Sequence, residues 1–173
     1  GRMDVLPGVT FLSSRVKEPN LGDWKKLVRI LGFLKKTRED VLTLEADDQQ
    51  SLYWMIDASF GVHPDMKSHT GGIFTMGKGA VVSDSTKQKV NSRSSTEAEL
   101  KGIDDEIAKV EWVRRFIQAQ GFDIKRNIIF QDNTSAMRLE MNGKEGSSKR
   151  TRHFDIRLFY VKSLVDRGEV SIE

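Results

Sequence analysis

Two apolar runs in this chain end on an aspartate, and they end in the same way. Leu-Tyr-Trp-Met-Ile leads to Asp57, and Asn-Ile-Ile-Phe-Gln leads to Asp132. Small or polar residues come after each of them, "ASFG" after the first and "NTSA" after the second. A carboxylate at the end of a buried strand is costly unless something compensates it. Neighbouring strands in one sheet would bring the two carboxylates within a few ångströms. Like charges at that range repel and raise one pKa unless cations sit between them. The chain has no cysteine and 3 histidines. Zinc–thiolate sites, disulfides and cysteine nucleophiles are thereby excluded, and paired aspartates suit a hard, oxygen-liganded ion such as Mg²⁺. The competing reading is that each aspartate serves a turn or caps the next element, with Asp132 capping a helix that starts near Thr134.

Around these two runs the pattern alternates. Residues 1–20 show little periodicity and read as an extended lead-in. "NLGDWKKLVRILGFLKKTRED" reads as a helix capped by Asn20 or Asp23, with Trp24, Leu27, Val28, Leu31 and Leu34 at helical spacing and a basic opposite face. "VLTLEA" (41–46) and the run into Asp57 are strand candidates. "GIFTMG" and "GAVVSDST" form a hairpin around Gly77–Gly79. A long helix comes next, started by Ser94, Ser95 or Thr96 and stopped by Gly121. The run into Asp132 is a strand, "TSAMRLEMNG" a helix, "KEGSSKRTR" a basic loop, "HFDIRLFYVKSLVDRG" a helix and "EVSIE" a last strand. Three strands, a helix, a strand, helices and a strand predict an α/β layered domain with a mixed sheet.

The long helix adds a third carboxylate. Leu100, Ile103, Ile107 and Val110 form one stripe. At about 100° per residue, Glu99 lies about 60° from the centre of that stripe and Glu97 about 100°. Glu99 is therefore the better placed to reach the sheet, and Glu97 to face solvent and the helix N-terminal dipole.

With 173 residues and 38% apolar content, the chain can bury a core, and a net charge of +3 permits a polyanionic partner without demanding one. No apolar run approaches the roughly 18–20 residues that span a bilayer, and nothing at the N-terminus reads as a signal peptide, so no membrane role is expected.

Taken together, "MIDASF", "SHTGG", "KQKVNSRSSTEAEL", "QDNTSA" and "SKRTRHFDIR" resemble the ribonuclease H domain of copia-type LTR-retrotransposon polyproteins. "RVKEPNLGDWKKLVRILGFLKKT" resembles the segment that links their reverse transcriptase to that domain. The resemblance runs over nearly the whole chain and keeps the family's order. It implies a connection segment at residues 1–48 and a ribonuclease H-like domain at 49–173, a three-layer α/β fold on a mixed five-stranded sheet. It implies cleavage of the RNA strand of RNA–DNA hybrids during reverse transcription, with two divalent ions, Mg²⁺ or Mn²⁺. Asp57, Glu99 and Asp132 match the family's metal-binding carboxylates and are the expected catalytic residues. The resemblance further implies a reverse transcriptase of the same polyprotein as partner and a location in an intracellular, cytoplasmic retroelement particle.

The family's fourth carboxylate comes from a helix beyond the strand matched here by "GEVSIE", and that helix is not expected in this chain. Asp155, in "RHFDIR", offers a carboxylate between the fourth and fifth strands, a position that does not match. A catalytically weak nucleic-acid-binding remnant is the alternative reading. For the hybrid, Ser59, Ser94, Ser95, Thr96 and Asn133 are short polar groups suited to 2′-hydroxyls in the minor groove. Lys149, Arg150 and Arg152 are suited to phosphates.

Overall fold

The computed structural model describes residues 2–142 and 155–173, with side chains in the last stretch from residue 159 onward. Lys149, Arg150, Arg152 and the side chain of Asp155 lie outside the described residues. The elements are, in order, a 3₁₀ turn Met3–Val5, α1 (Leu6–Ser13), α2 (Leu21–Lys36), β1 (Glu45–Ala46), β2 (Ser51–Ser59), β3 (His69–Thr75), β4 (Gly77–Lys78) and β5 (Val82–Lys87). Then come α3 (Ser95–Ala119), β6 (Arg126–Phe130), α4 (Thr134–Asn142), α5 (Asp155–Asp166) and β7 (Ser171–Ile172).

Five strands form one mixed sheet in the order β5-β3-β2-β6-β7. The β2, β3 and β5 strands run antiparallel as a meander, and β6 and β7 add parallel to β2 through helical crossovers. The strand period of two then sorts the side chains. Leu52, Trp54 and Ile56 of β2, Phe74 of β3, Ile129 of β6 and Ile172 of β7 share one face. They form a single core with Ile103, Ile107, Val110 and Val113 of α3 and Val161 and Leu164 of α5. The expected α3 stripe is thus the buried one. Ser94 caps that helix by accepting a hydrogen bond from Glu97 N, and Gly121 beyond its end takes φ +95°. The opposite sheet face is more open, with Met55, Ile73 and Phe130 exposed and Tyr53 stacked on Phe130.

The N-terminal region departs from expectation. Residues expected to be an extended lead-in form the 3₁₀ turn and α1, because Pro7 sits in the first helical turn, where its missing N–H costs nothing. Helix α2 forms as expected, and Asn20 and Asp23 act together as a reciprocal capping box. Its apolar side is largely uncovered: Trp24 is 62% exposed, and Val28 and Leu31 are exposed as well. Of the "VLTLEA" strand candidate only Glu45–Ala46 pairs, with β4. The segment nevertheless touches the sheet domain. Helix α1 packs against β5, and Phe11 stacks on His63 at 5.8 Å.

Candidate metal centre

Strand register places the two aspartates. Met55 pairs with Phe130 across the parallel β2–β6 ladder. Asp57 and Asp132 each lie two residues further on, so they emerge side by side at the same end of adjacent strands. Asp57 is within β2, whereas Asp132 lies just beyond the last residue of β6. Opposite Asp57 on the other side is Gly71, which leaves the carboxylate open along that edge.

Helix α3 brings Glu99 in from the packed face. Its Oε2 accepts a hydrogen bond from Ala58 N at 3.1 Å, which ties the first turns of the helix to β2. One carboxylate oxygen each from Asp57, Glu99 and Asp132 lies within 4.8 Å of the others. The aspartates are exposed and Glu99 is buried. Burial, and after it the charges of Asp57 and Asp132, push the Glu99 carboxyl up to about 7. An all-oxygen donor set of three carboxylates, with one carboxyl raised by burial and then by its neighbours, fits a hard divalent cation. A groove of about 780 Å³ runs past the two aspartates along the open sheet face. Gln131, Gly72 and Phe130 line it, and so do Met3 and Pro7 from the N-terminal turn.

The remaining expected site residues are distributed around this centre. Asn133 caps α4, since its Oδ1 accepts from Ser135 N and Ala136 N at 3.1 Å each. Asp132 is thereby spared the capping role. Ser94 is the α3 cap, with Ser95 exposed and Thr96 half-buried beside it. Ser59 is exposed at the end of β2. Glu97 is not turned to solvent as expected. It is buried, accepts from Arg93 N at 2.8 Å and pairs with Lys101 at 2.9 Å.

Two residues of the region escaped sequence reasoning. Gln131 is buried, and its Oε1 accepts from Asn133 N. Glu140 is 1% exposed, and burial with the charge of Glu99 pushes its carboxyl up to about 8. A signal for Glu140 was present. It lies one helical turn beyond the fully buried Ala136, i to i+4, which puts both on the same face of α4.

No family model matches the chain. Curated relatives match it from end to end. It is 31% identical over 172 residues to the retrovirus-related Pol polyprotein from transposon TNT 1-94 of Nicotiana tabacum, covering 99% of this chain and 13% of that protein. It is 27% identical over 173 residues to the corresponding polyprotein from transposon RE2 of Arabidopsis thaliana, covering 99% of this chain and 12% of that protein. The chain therefore spans only about an eighth of these relatives. Among solved structures, LC11-RNase H1 in complex with an RNA/DNA hybrid superposes with a TM-score of 0.50 at 10% identity, over 71% of this chain and 83% of that one. Over its whole length the chain is homologous to retrovirus-related Pol polyproteins of plant copia-type transposons, and it has the ribonuclease H fold.

Proposed function

We propose that the protein is a divalent-metal-dependent ribonuclease H that cleaves the RNA strand of RNA–DNA hybrids during retroelement reverse transcription. The observation that carries this reading is the convergence of Asp57, Glu99 and Asp132 to within 4.8 Å at the end of adjacent strands of a ribonuclease H fold. These residues would hold two ions, Mg²⁺ or Mn²⁺. When bound, such ions supply an activated water and neutralise charge on the phosphate and the leaving oxygen.

The chain's own groups provide the rest. The exposed Asp57 and Asp132 face the groove, and Glu99 anchors the centre to Ala58 N. Ser59, Ser94, Ser95, Thr96 and Asn133 are the proposed contacts to the hybrid's minor groove, where 2′-hydroxyls distinguish RNA from DNA. Lys149, Arg150 and Arg152 are the proposed phosphate contacts. A hybrid is the polymer that the solved ribonuclease H1 relative is bound to. Residues 1–48 are proposed as the connection to a reverse transcriptase of the same polyprotein, with 49–173 as the nuclease domain and a retroelement particle as its setting. Among the described residues no helix is long and apolar enough to cross a membrane.

The test is cleavage of a strand-labelled RNA–DNA hybrid with Mg²⁺ or Mn²⁺, beside an Asp132→Asn variant. The parent cuts the RNA strand and the variant does not. Hybrid binding without cleavage by either ion would replace the nuclease with a non-catalytic nucleic-acid-binding domain.

A further inference from the structure

Apart from the three clustered acids, another carboxylate is buried on α4, which packs against α3, close enough to Glu99 to feel its charge. Glu140 of α4 is 1% exposed, and both its oxygens lack a hydrogen-bond partner among the described residues. The Nε2 of Gln131, the residue next to Asp132, is likewise buried and outside hydrogen-bond geometry to any of them. The small apolar cluster on the same interface, Leu100, Ala136 and Leu139, offers nothing polar to either. The charge acting on Glu140 is the like charge of Glu99. A buried acid with no cation beside it among the described residues, and a second acid for a neighbour, does not stabilise the fold in its charged form, because desolvation and repulsion both act against it.

We propose that Glu140 is part of the acidic centre, acting not as a ligand but as a positioning residue whose buried charge near Glu99 strengthens the binding of divalent cations at Asp57, Glu99 and Asp132. The inference rests on the metal-dependent reading above. Three ionised carboxylates carry three negative charges, and two divalent ions bring four positive ones. A fourth carboxylate within reach of the same field compensates the difference. The low local dielectric that makes Glu140 costly in the metal-free protein also makes its attraction to bound cations strong. The Gln131 side chain favours the ionised form of Glu99, so the region already holds one polar group that acts in the same direction as a cation.

Mn²⁺ titration by calorimetry on the parent, Glu140→Gln and Glu140→Met tests this at pH 8. Glutamine keeps the shape and polarity of the side chain, and methionine keeps its length without either. The expected result is a loss of about tenfold in Mn²⁺ affinity in both variants, while the melting temperature without metal stays the same or rises. The Met variant carries the comparison if the Gln variant does not fold. Glu106→Gln removes an equally buried acid of α3 that is paired with Lys109 and leaves Mn²⁺ affinity unchanged. Affinities within twofold of the parent for the Glu140 variants, or an equal loss in Glu106→Gln, would overturn the inference alone. A parent that binds no Mn²⁺ would overturn it together with the metal-dependent reading.

Discussion

Helix α3 treats the same buried side chain in two opposite ways along its length. It buries Glu97, Glu99, Glu106 and Glu111. Glu97 meets Lys101, Glu106 meets Lys109, and Glu111 meets Arg114, each at 2.9 Å. Room for Glu106 comes from Gly72, where a Cβ would sit 3.0 Å from the Glu106 Cδ. Glu99 has no cationic partner among the described residues and meets the charges of Asp57 and Asp132 instead, with Glu140 near enough to feel its own. Residue type, helix and burial are shared, so the sign of the neighbouring charge is what separates an acid paired within the fold from one that faces other acids.

The comparison can be broken most visibly by pH. Burial raises the carboxyls of Glu99 and Glu140, to about 7 and about 8, and raises that of Glu106. The folded state then keeps protons that the unfolded chain releases near its ordinary carboxylate range. What these groups contribute to metal-free stability is therefore full below about pH 4.5 and is lost as pH rises through 7 to 8, by about 1.4 kcal/mol per pH unit for each group that titrates. Urea unfolding in a chelating buffer from pH 5 to 8.5 measures the slope. Glu140→Gln makes it shallower.

Next in size is the removal of a paired acid. Glu111→Ala leaves Arg114 with Glu169, at 2.7 Å, as its one carboxylate partner among the described residues, and should cost about 3 kcal/mol in urea denaturation at an unchanged m-value. Removing the unpaired acid should act the other way. Glu99→Gln is expected to stabilise the metal-free protein by about 1 kcal/mol at pH 8 and to abolish the rise in melting temperature that Mn²⁺ gives the parent. A destabilised Glu99→Gln would mean that this acid supports the fold as its neighbours do. The smallest effect belongs to an exposed pair. Asp166→Asn, which removes the Lys162–Asp166 contact at 2.7 Å, should change stability by less than about 0.5 kcal/mol.

Much of the centre was legible because it depends on local periods. Both aspartates end apolar runs, and parallel neighbours carry equal offsets to the same edge, so Asp57 and Asp132 could be paired from their positions in the chain. The helical angle singled out Glu99 over Glu97, and the stripe from Leu100 to Val110 is indeed the buried one. The angle misjudged the surroundings of Glu97, because the loop before α3 folds back and supplies Arg93 N. Glu140 was passed over because an acid in a short amphipathic helix ordinarily faces water, and only the packing of α4 on α3 reverses that. The apolar residues of α2 have the same period as those of α3, yet Trp24, Val28 and Leu31 stay exposed. Periodicity announces that a face exists and is silent about what covers it.

By itself, the amino-acid sequence determined the strands, the long capped helix and the three carboxylates aimed at one end of a sheet, because these depend on backbone period, capping chemistry and the order of elements. Tertiary structure alone decided which buried acid has a cation beside it and which has another acid. A side chain's charge is local, but its energy depends on groups that packing brings from elsewhere in the chain, as α4 brings Glu140 within reach of the charge of Glu99.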